Sequence, residues 1–406
     1  MKIVQINAVY GFGSTGIIVK DIQSACEKEG FDCVVAYSQS QGEVKNGYHM
    51  GNALSNKLHA LLSRISGKQG YFSCLSTWKF LRFLDNYRPD ILHLHNLHGC
   101  YINVPMLLKY AAKKDIAVVV SLHDCWFYTG GCSHYTRVGC NKWLKECGNC
   151  PRRYEEFPAL LYDGSTAQLR DRKKLFGAIK KLTAVGVSQW IVDEAQKNIF
   201  KNARCLAIHN GIDTDFFHPV PKEEISNHSE RLKILLDQTS GKFVVLAPAN
   251  KWFLDVNRET FDYFASHLTD DMRMVFIGNG VEESRLTDKM INIGFVSSRE
   301  EIRDIYSACD VMANCTREES LSLLNVEVQA CGTPVVTYSN TGVKETVDGK
   351  CGFAVENGNP EEMWKVVRTI GKKGKADYSN GCISWVGDEF KRIDNYNKYL
   401  ELYKSI

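Results

Sequence analysis

REESLSLLNVEVQACGTPVVTYSNTGVKETV, residues 317–347, reads as a helix, a tight turn and a buried strand. CGTPVV makes the turn and begins the strand, and SNTGVKE makes the turn that follows. Glu319 and Glu327 stand eight residues apart, a little over two helical turns. One carboxylate at the helix start and one in its second turn can face a common crevice. There they would accept hydrogen bonds from sugar or ribose hydroxyls, and the first N–H groups of the helix would meet an anion. Either glutamate alone reads first as part of a solvated, charged helix start.

The same alternation extends toward the N-terminus. FVVLAPA (243–249), MVFIGNG (274–280), INIGF (291–295) and DVMANC (310–315) read as strands with helices between them. Earlier, KIVQIN (2–7), CVVAYS (33–38), ILHLHN (91–96), AVVVSLHD (117–124) and LTAVGVS (182–188) alternate with helical patterns at 16–30 and near 54–66, 76–86, 104–114 and 190–200. Such runs form parallel βαβ units whose sheets are covered on both faces. The expected fold class is α/β, with two Rossmann-like, doubly wound domains facing a central cleft. The expected limits are 1–217 for the first domain, a polar linker over 218–241, 242–387 for the second domain and a closing helix within 388–406. HNGID (209–213) and Gly278-Asn279-Gly280 fall at strand carboxyl ends, where doubly wound sheets collect ligands.

A chain of 406 residues has room for two such domains. Its net charge of +3 gives no nucleic-acid signature. The start lacks the order of a signal peptide, and no apolar run approaches the roughly 18 residues that cross a bilayer. A cytoplasmic protein is expected, at most peripheral at the inner face of the plasma membrane. Its 15 cysteines then read as thiols or metal ligands rather than disulfides.

With these pieces in this order, the chain resembles the retaining glycosyltransferases of family 4, of the colanic-acid and capsular-polysaccharide type, which have the GT-B fold. Glu319-x7-Glu327 followed by ACGTPVV matches the family's signature, and HNGIDTDFF (209–217) its crossover segment. GSTGIIVKDI (13–22) resembles its glycine loop, SLHD (121–124) its histidine loop, and residues 274–280 and 291–311 its series around the nucleotide base. The resemblance implies that Glu327 binds ribose, Glu319 the transferred sugar and Gly13 and Gly16 the donor phosphates. It places His123 against the reacting sugar, and Asn210, Gly278, Phe295 and Leu321 around the donor. It implies a nucleotide-sugar donor, UDP-linked in preference to GDP-linked, and a glycan or polyprenyl-diphosphate-linked acceptor. It implies no catalytic metal, since Asp213-Thr214-Asp215 falls within the matched crossover segment. One departure stands out. Where the family carries a Lys-Gly pair against the leaving diphosphate, this chain has Val256-Asn257, so Lys251 or Arg258 would have to supply the charge.

Residues 121–153 carry a cysteine cluster. Cys147-x2-Cys150, with Cys132 and Cys140 or His134, could complete a tetrahedral structural zinc site; unligated thiols and a redox pair are the alternatives. Between 137 and 181 eleven Lys or Arg face five acids. RDRKKLFGAIKK (170–181), with Arg170, Arg172, Lys173 and Lys174, reads either as a solvated helix face or as a surface for an anionic membrane or a lipid diphosphate. A catalytically impaired sugar-binding module docked at a membrane, and a nucleotide-sugar epimerase, are the competing functional readings.

Overall fold

Runs such as AVVVSL and FVVLAP are too apolar to leave one face in water, so they pair in parallel beneath helices on both sides. The computed structural model describes residues 1–155, 158–225 and 229–406. It contains two compact units, Met1–Asn210 with Asn395–Ile406, and Gly211–Asp394.

The first unit holds β1 (Lys2–Tyr10), β2 (Asp32–Ser40), β3 (Gly47–His49), β4 (Ile91–Leu94), β5 (Ala117–Leu122), β6 (Leu182–Gly186) and β7 (Arg204–Ala207). They form one parallel sheet in the order β3-β2-β1-β4-β5-β6-β7. The order reverses between β1 and β4. Ile3, Ile22, Ile91, Val119 and Val185 are buried in one cluster with Tyr396, Tyr399, Leu400 and Tyr403 of the last helix, Arg392–Lys404.

The second unit holds β8 (Phe243–Pro248), β9 (Met272–Ile277), β10 (Met290–Gly294), β11 (Val311–Asn314), β12 (Val335–Tyr338) and β13 (Phe353–Val355), parallel in the order β10-β9-β8-β11-β12-β13. The reversal lies between β8 and β11. Alternation along β8 fills both faces: Val245 and Ala247 enter one core cluster, Val244 and Leu246 the other.

Two expected limits shift. The units divide between Asn210 and Gly211 rather than after 217. The reason is local: a Cβ on Gly211 would stand 2.4 Å from Arg392 Cα, and Ile212 exchanges backbone hydrogen bonds with Phe390 and Arg392. Residues 218–241, expected as a linker, contain the helices Lys222–Ile225 and Glu230–Thr239 (226–228 lie outside the described residues). Ser229 caps the second helix at Leu232 N, and Ile225, Leu232 and Leu235 are buried in the core. Each such side chain contributes about 1.5–3 kcal/mol by leaving water, which a spacer would not. The closing helix, expected within 388–406, is present, but its residues from Asn395 onward belong to the first unit.

Leu232→Ala should therefore lower the unfolding free energy by about 2–5 kcal/mol. Denaturant titration would show a shift near zero if the segment only tethered the units.

Candidate functional site

At the β8/β11 reversal, two loops bring opposite charges together. Lys251 lies in the short turn Ala249–Trp252 after β8, and Glu319 in the loop after β11. Lys251 Nζ stands 2.5 Å from Glu319 Oε1. The second carboxylate oxygen, Glu319 Oε2, is buried and has no protein partner. Thr341 holds the loop in place: its hydroxyl accepts from Glu319 N–H at 3.2 Å and donates to Glu319 C=O at 2.6 Å. Beneath it, Asn314 donates to Asn325, and Asn325 to Thr346, in a buried amide chain.

Asn257, at the departure from the family pattern, is fully buried. Its amide donates to Lys251 C=O at 2.9 Å and accepts from Arg317 Nε at 2.7 Å. Arg317 also donates to Val256 C=O and lies 4.7 Å from the Tyr338 ring centre. Sequence reasoning missed Arg317 and Asn257. The available signal was a cation three residues beyond the end of β11, beside Glu319. Arg258 is not brought to this cluster: it is largely exposed at the start of the helix Arg258–His267 and pairs with Asp255 at 3.9 Å.

Glu327 sits in the second turn of the helix Leu323–Ala330. Burial pushes its carboxyl up to about 7, with Arg299 opposing the shift. Glu319 and Glu327 thus answer to different cations, Lys251 and Arg299. Leu321 packs partly against the core, Phe295 is exposed after β10, and Gly278 (φ +101°) donates its N–H to Gly294 C=O at 2.9 Å. Asn210 is buried. Asp213, of the Asp-x-Asp letters, pairs with Arg392 at 2.8 Å.

In the first unit, Gly13 (φ +63°) opens the helix Gly13–Lys28. Gly16 is close-packed against β1 itself: a Cβ there would stand 3.1 Å from Val9 Cγ2 and 3.3 Å from Gly11 N. At the ends of β4 and β5 lie His95 and His123, with His95 Nδ1 3.0 Å from His123 Nε2. Their protons can be assigned from the network. Gln5 Nε2 faces Val19 C=O at 3.2 Å, so its Oε1 faces His95 Nε2 at 3.1 Å and requires an N–H there. Burial keeps His95 well below its usual pKa and brings His123 down to about 4, against the opposing charge of Asp124. Both rings are neutral. His95 Nδ1 is then an acceptor, His123 Nε2 a donor, and His123 Nδ1 a lone pair that is buried without a partner. It suits a ligand hydroxyl and disfavours an anion.

The cysteine loop is held by cations on carbonyls. Arg172 donates to Trp126 C=O and to Thr129 C=O (2.6 Å) with its guanidinium 3.7 Å from the Trp126 ring centre. Arg152 reaches His134 C=O, Lys173 reaches Lys145 C=O, and Lys142 reaches Gly148 and Asn149 C=O. Arg172, expected at a membrane surface, is therefore buried inside the unit; Arg170 pairs with Asp171, and Lys174 is exposed. Cys132, Cys140, Cys147 and Cys150 line one cavity of about 60 Å³. Burial pushes Cys132 up to about 12 and Cys147 up to about 11. Among the described residues, no group of three or more His, Cys, Asp or Glu side chains is arranged to hold a metal ion.

Residues 15–216 match the Glycosyltransferase Family 4 model, and residues 249–372 match that of Glycosyl transferases group 1. The chain belongs to the family 4, group 1 glycosyltransferases. It is 22% identical to the putative colanic acid biosynthesis glycosyl transferase WcaC of Escherichia coli, over 91% of this chain and 90% of that protein. Among solved structures it resembles sucrose-phosphate synthase from Thermosynechococcus elongatus (TM-score 0.67, 14% identity, 100% of this chain and 98% of that one). It also resembles Anabaena HepE in complex with UDP (TM-score 0.64, 16% identity, 100% of both chains). The fold is GT-B, with two parallel-sheet α/β units.

Three outcomes follow for this glycosyltransferase. Arg172→Ala should destabilise it by about 3 kcal/mol or more, because two buried carbonyls lose their donor, whereas Arg170→Ala should stay within about 0.5 kcal/mol; denaturant unfolding compares them. Surroundings that disfavour the charged form add no ionisation cost while the Glu327 carboxyl is protonated. That cost grows as pH rises from the unfolded value of 4.5 to about 7. Relative to wild type, Glu327→Gln should thus gain about 2–3 kcal/mol between about pH 5 and about pH 8. Nitrogen-15 imidazole spectra should show His123 in the Nε2–H tautomer at neutral pH, with Gln5→Met giving a mixture; an Nδ1–H or doubly protonated ring in wild type would refute the proton assignment.

Proposed function

We propose that the protein transfers a sugar from a nucleoside diphosphate sugar to a glycan or polyprenyl-diphosphate-linked acceptor, with retention of anomeric configuration, in surface polysaccharide synthesis. The observation that carries this reading is the Lys251–Glu319 pair at the β8/β11 reversal, with one carboxylate oxygen left open. In this reading Lys251 replaces the family's Lys-Gly cation and turns from Glu319 to the diphosphate, offsetting charge as the leaving group departs. Arg317 and Asn257 keep it in range by fixing the turn that carries it. Glu319 Oε2 accepts a hydroxyl of the transferred sugar. Glu327 binds the ribose hydroxyls once ionised, so donor affinity rises as pH passes through 7. The departing phosphate shields the positive sugar ring on the face it leaves, and His123 Nδ1 accepts from a sugar hydroxyl. Similar proteins support a UDP-linked donor and a polysaccharide setting: HepE has been solved with UDP and with UDP-glucose, and WcaC is a putative colanic acid biosynthesis glycosyl transferase.

Thermal unfolding against UDP, GDP, ADP and their sugars tests the donor site in wild type, Lys251→Ala and Glu327→Ala. A ligand at 100 times its Kd adds about 2.7 kcal/mol to the folded form. One nucleotide series should stabilise wild type and both variants much less. If a folded wild type responds to none, the reading fails and a sugar-binding module takes its place.

A further inference from the structure

The helix Ala53–Ser66 turns a row of leucines to solvent. Leu54, Leu58 and Leu61 follow the spacing that puts side chains on one face of a helix. A second segment adjoins it: Leu160 N–H bonds to Arg64 C=O at 2.7 Å and Tyr162 N–H to Ile65 C=O at 3.1 Å. This adds Leu160, Leu161 and Tyr162, and all six side chains are between 54 and 79% exposed. Single exposed leucines are ordinary, but six large apolar side chains on two bonded segments leave much apolar surface in water.

Among the described residues, the charges on and next to this helix are cationic, and Glu155, two residues beyond Arg153, is paired with Arg137 and Arg152. The helix carries Lys57 and Arg64 and no acid, Lys68 follows it, and Arg153 holds the Ala159 and Leu160 carbonyls. The nearest acid in the second segment, Asp163, is turned inward to the N–H groups of Cys150 and Ser165. An apolar stripe bordered by cations is the pattern of a helix lying in a membrane interface, where the leucines enter the acyl boundary and the cations meet anionic headgroups.

Lys57 and Arg64 also reach a pocket beside the helix. Asn56, Lys57, Ser63 and Arg64, with His98, Gly99 and Cys100, line a space of about 670 Å³. His98 bonds to Asp124 at 3.2 Å, next to His123. One helix thus borders both an apolar outer face and a pocket whose polar groups include Lys57, Arg64 and His98.

We propose that Leu54, Leu58, Leu61 and the 160–162 segment dock this protein on an anionic lipid bilayer, and that the adjoining pocket takes the polar head of an acceptor anchored in that bilayer. The acceptor half of this statement rests on the transferase reading; the docking half does not. It replaces the 170–181 helix as the membrane surface.

Co-sedimentation of the full chain with phosphatidylcholine vesicles, with and without phosphatidylglycerol, tests it. Wild type should pellet severalfold more with phosphatidylglycerol and lose that gain in high salt. Leu58→Asp with Leu61→Asp should cut the bound fraction about tenfold while leaving the melting temperature and nucleotide stabilisation unchanged, since both side chains are exposed and belong to the first unit, whereas Lys251–Glu319 belongs to the second. Equal pelleting of wild type and variant would overturn the proposal, as would no pelleting of wild type. So would conversion of a dimer to a monomer by the same substitutions, which would give the face to a second copy. Nucleotide stabilisation without vesicle binding defeats docking alone, and vesicle binding without nucleotide stabilisation defeats the transferase reading alone.

Discussion

A parallel sheet covered on both faces leaves polar side chains one cheap location, the carboxyl ends of its strands. Everything chemical in this protein follows from that constraint. Lys251 and Glu319 stand beyond the ends of β8 and β11, and His95 and His123 beyond the ends of β4 and β5. The few polar groups left inside the first sheet must find partners. Gln5 pairs with His95, and His93 lies between Ser121 at 2.8 Å and Tyr403 at 2.6 Å. The Gln5 amide fixes donor and acceptor along its own chain, and that assignment passes outward through His95 to His123 Nδ1.

The fold was legible wherever apolar runs were long. Every quoted strand stretch contains a strand, and the helices expected near 54–66, 76–86 and 104–114 appear as Ala53–Ser66, Cys74–Tyr87 and Val104–Lys114. The strands that went unread are short ones near sheet edges, such as Gly47–His49 and Phe353–Val355, where three residues carry too little alternation to see. The helix Glu230–Thr239 was hidden by its polar neighbours, though Ser229 ahead of RLKILL was a legible cap.

The candidate site was half legible. Glu319, Glu327 and His123 could be named from motif and resemblance, but the pairings around them could not, because Lys251 is 68 residues from Glu319 in the chain and Gln5 is 90 from His95, the ring that bonds to His123. The basic segment misled for a physical reason. Lysine and arginine count alike in a charge tally, yet Arg172 is buried against Trp126 while Lys174 is exposed. The exposed leucine face of Ala53–Ser66 was overlooked for the opposite reason: its leucines matched the apolar spacing of a helix that buries them.

The return of residues 395–406 to the first unit has a consequence for synthesis. The second unit is one uninterrupted stretch, Gly211–Asp394, and can close as soon as it leaves the ribosome. The first unit emerges earlier but lacks Tyr396, Tyr399 and Tyr403 until the final helix is translated. The half made first is therefore finished last. Throughout that interval the Ile3, Ile91 and Val119 side of its sheet stays open, a natural substrate for a chaperone that shields nascent chains.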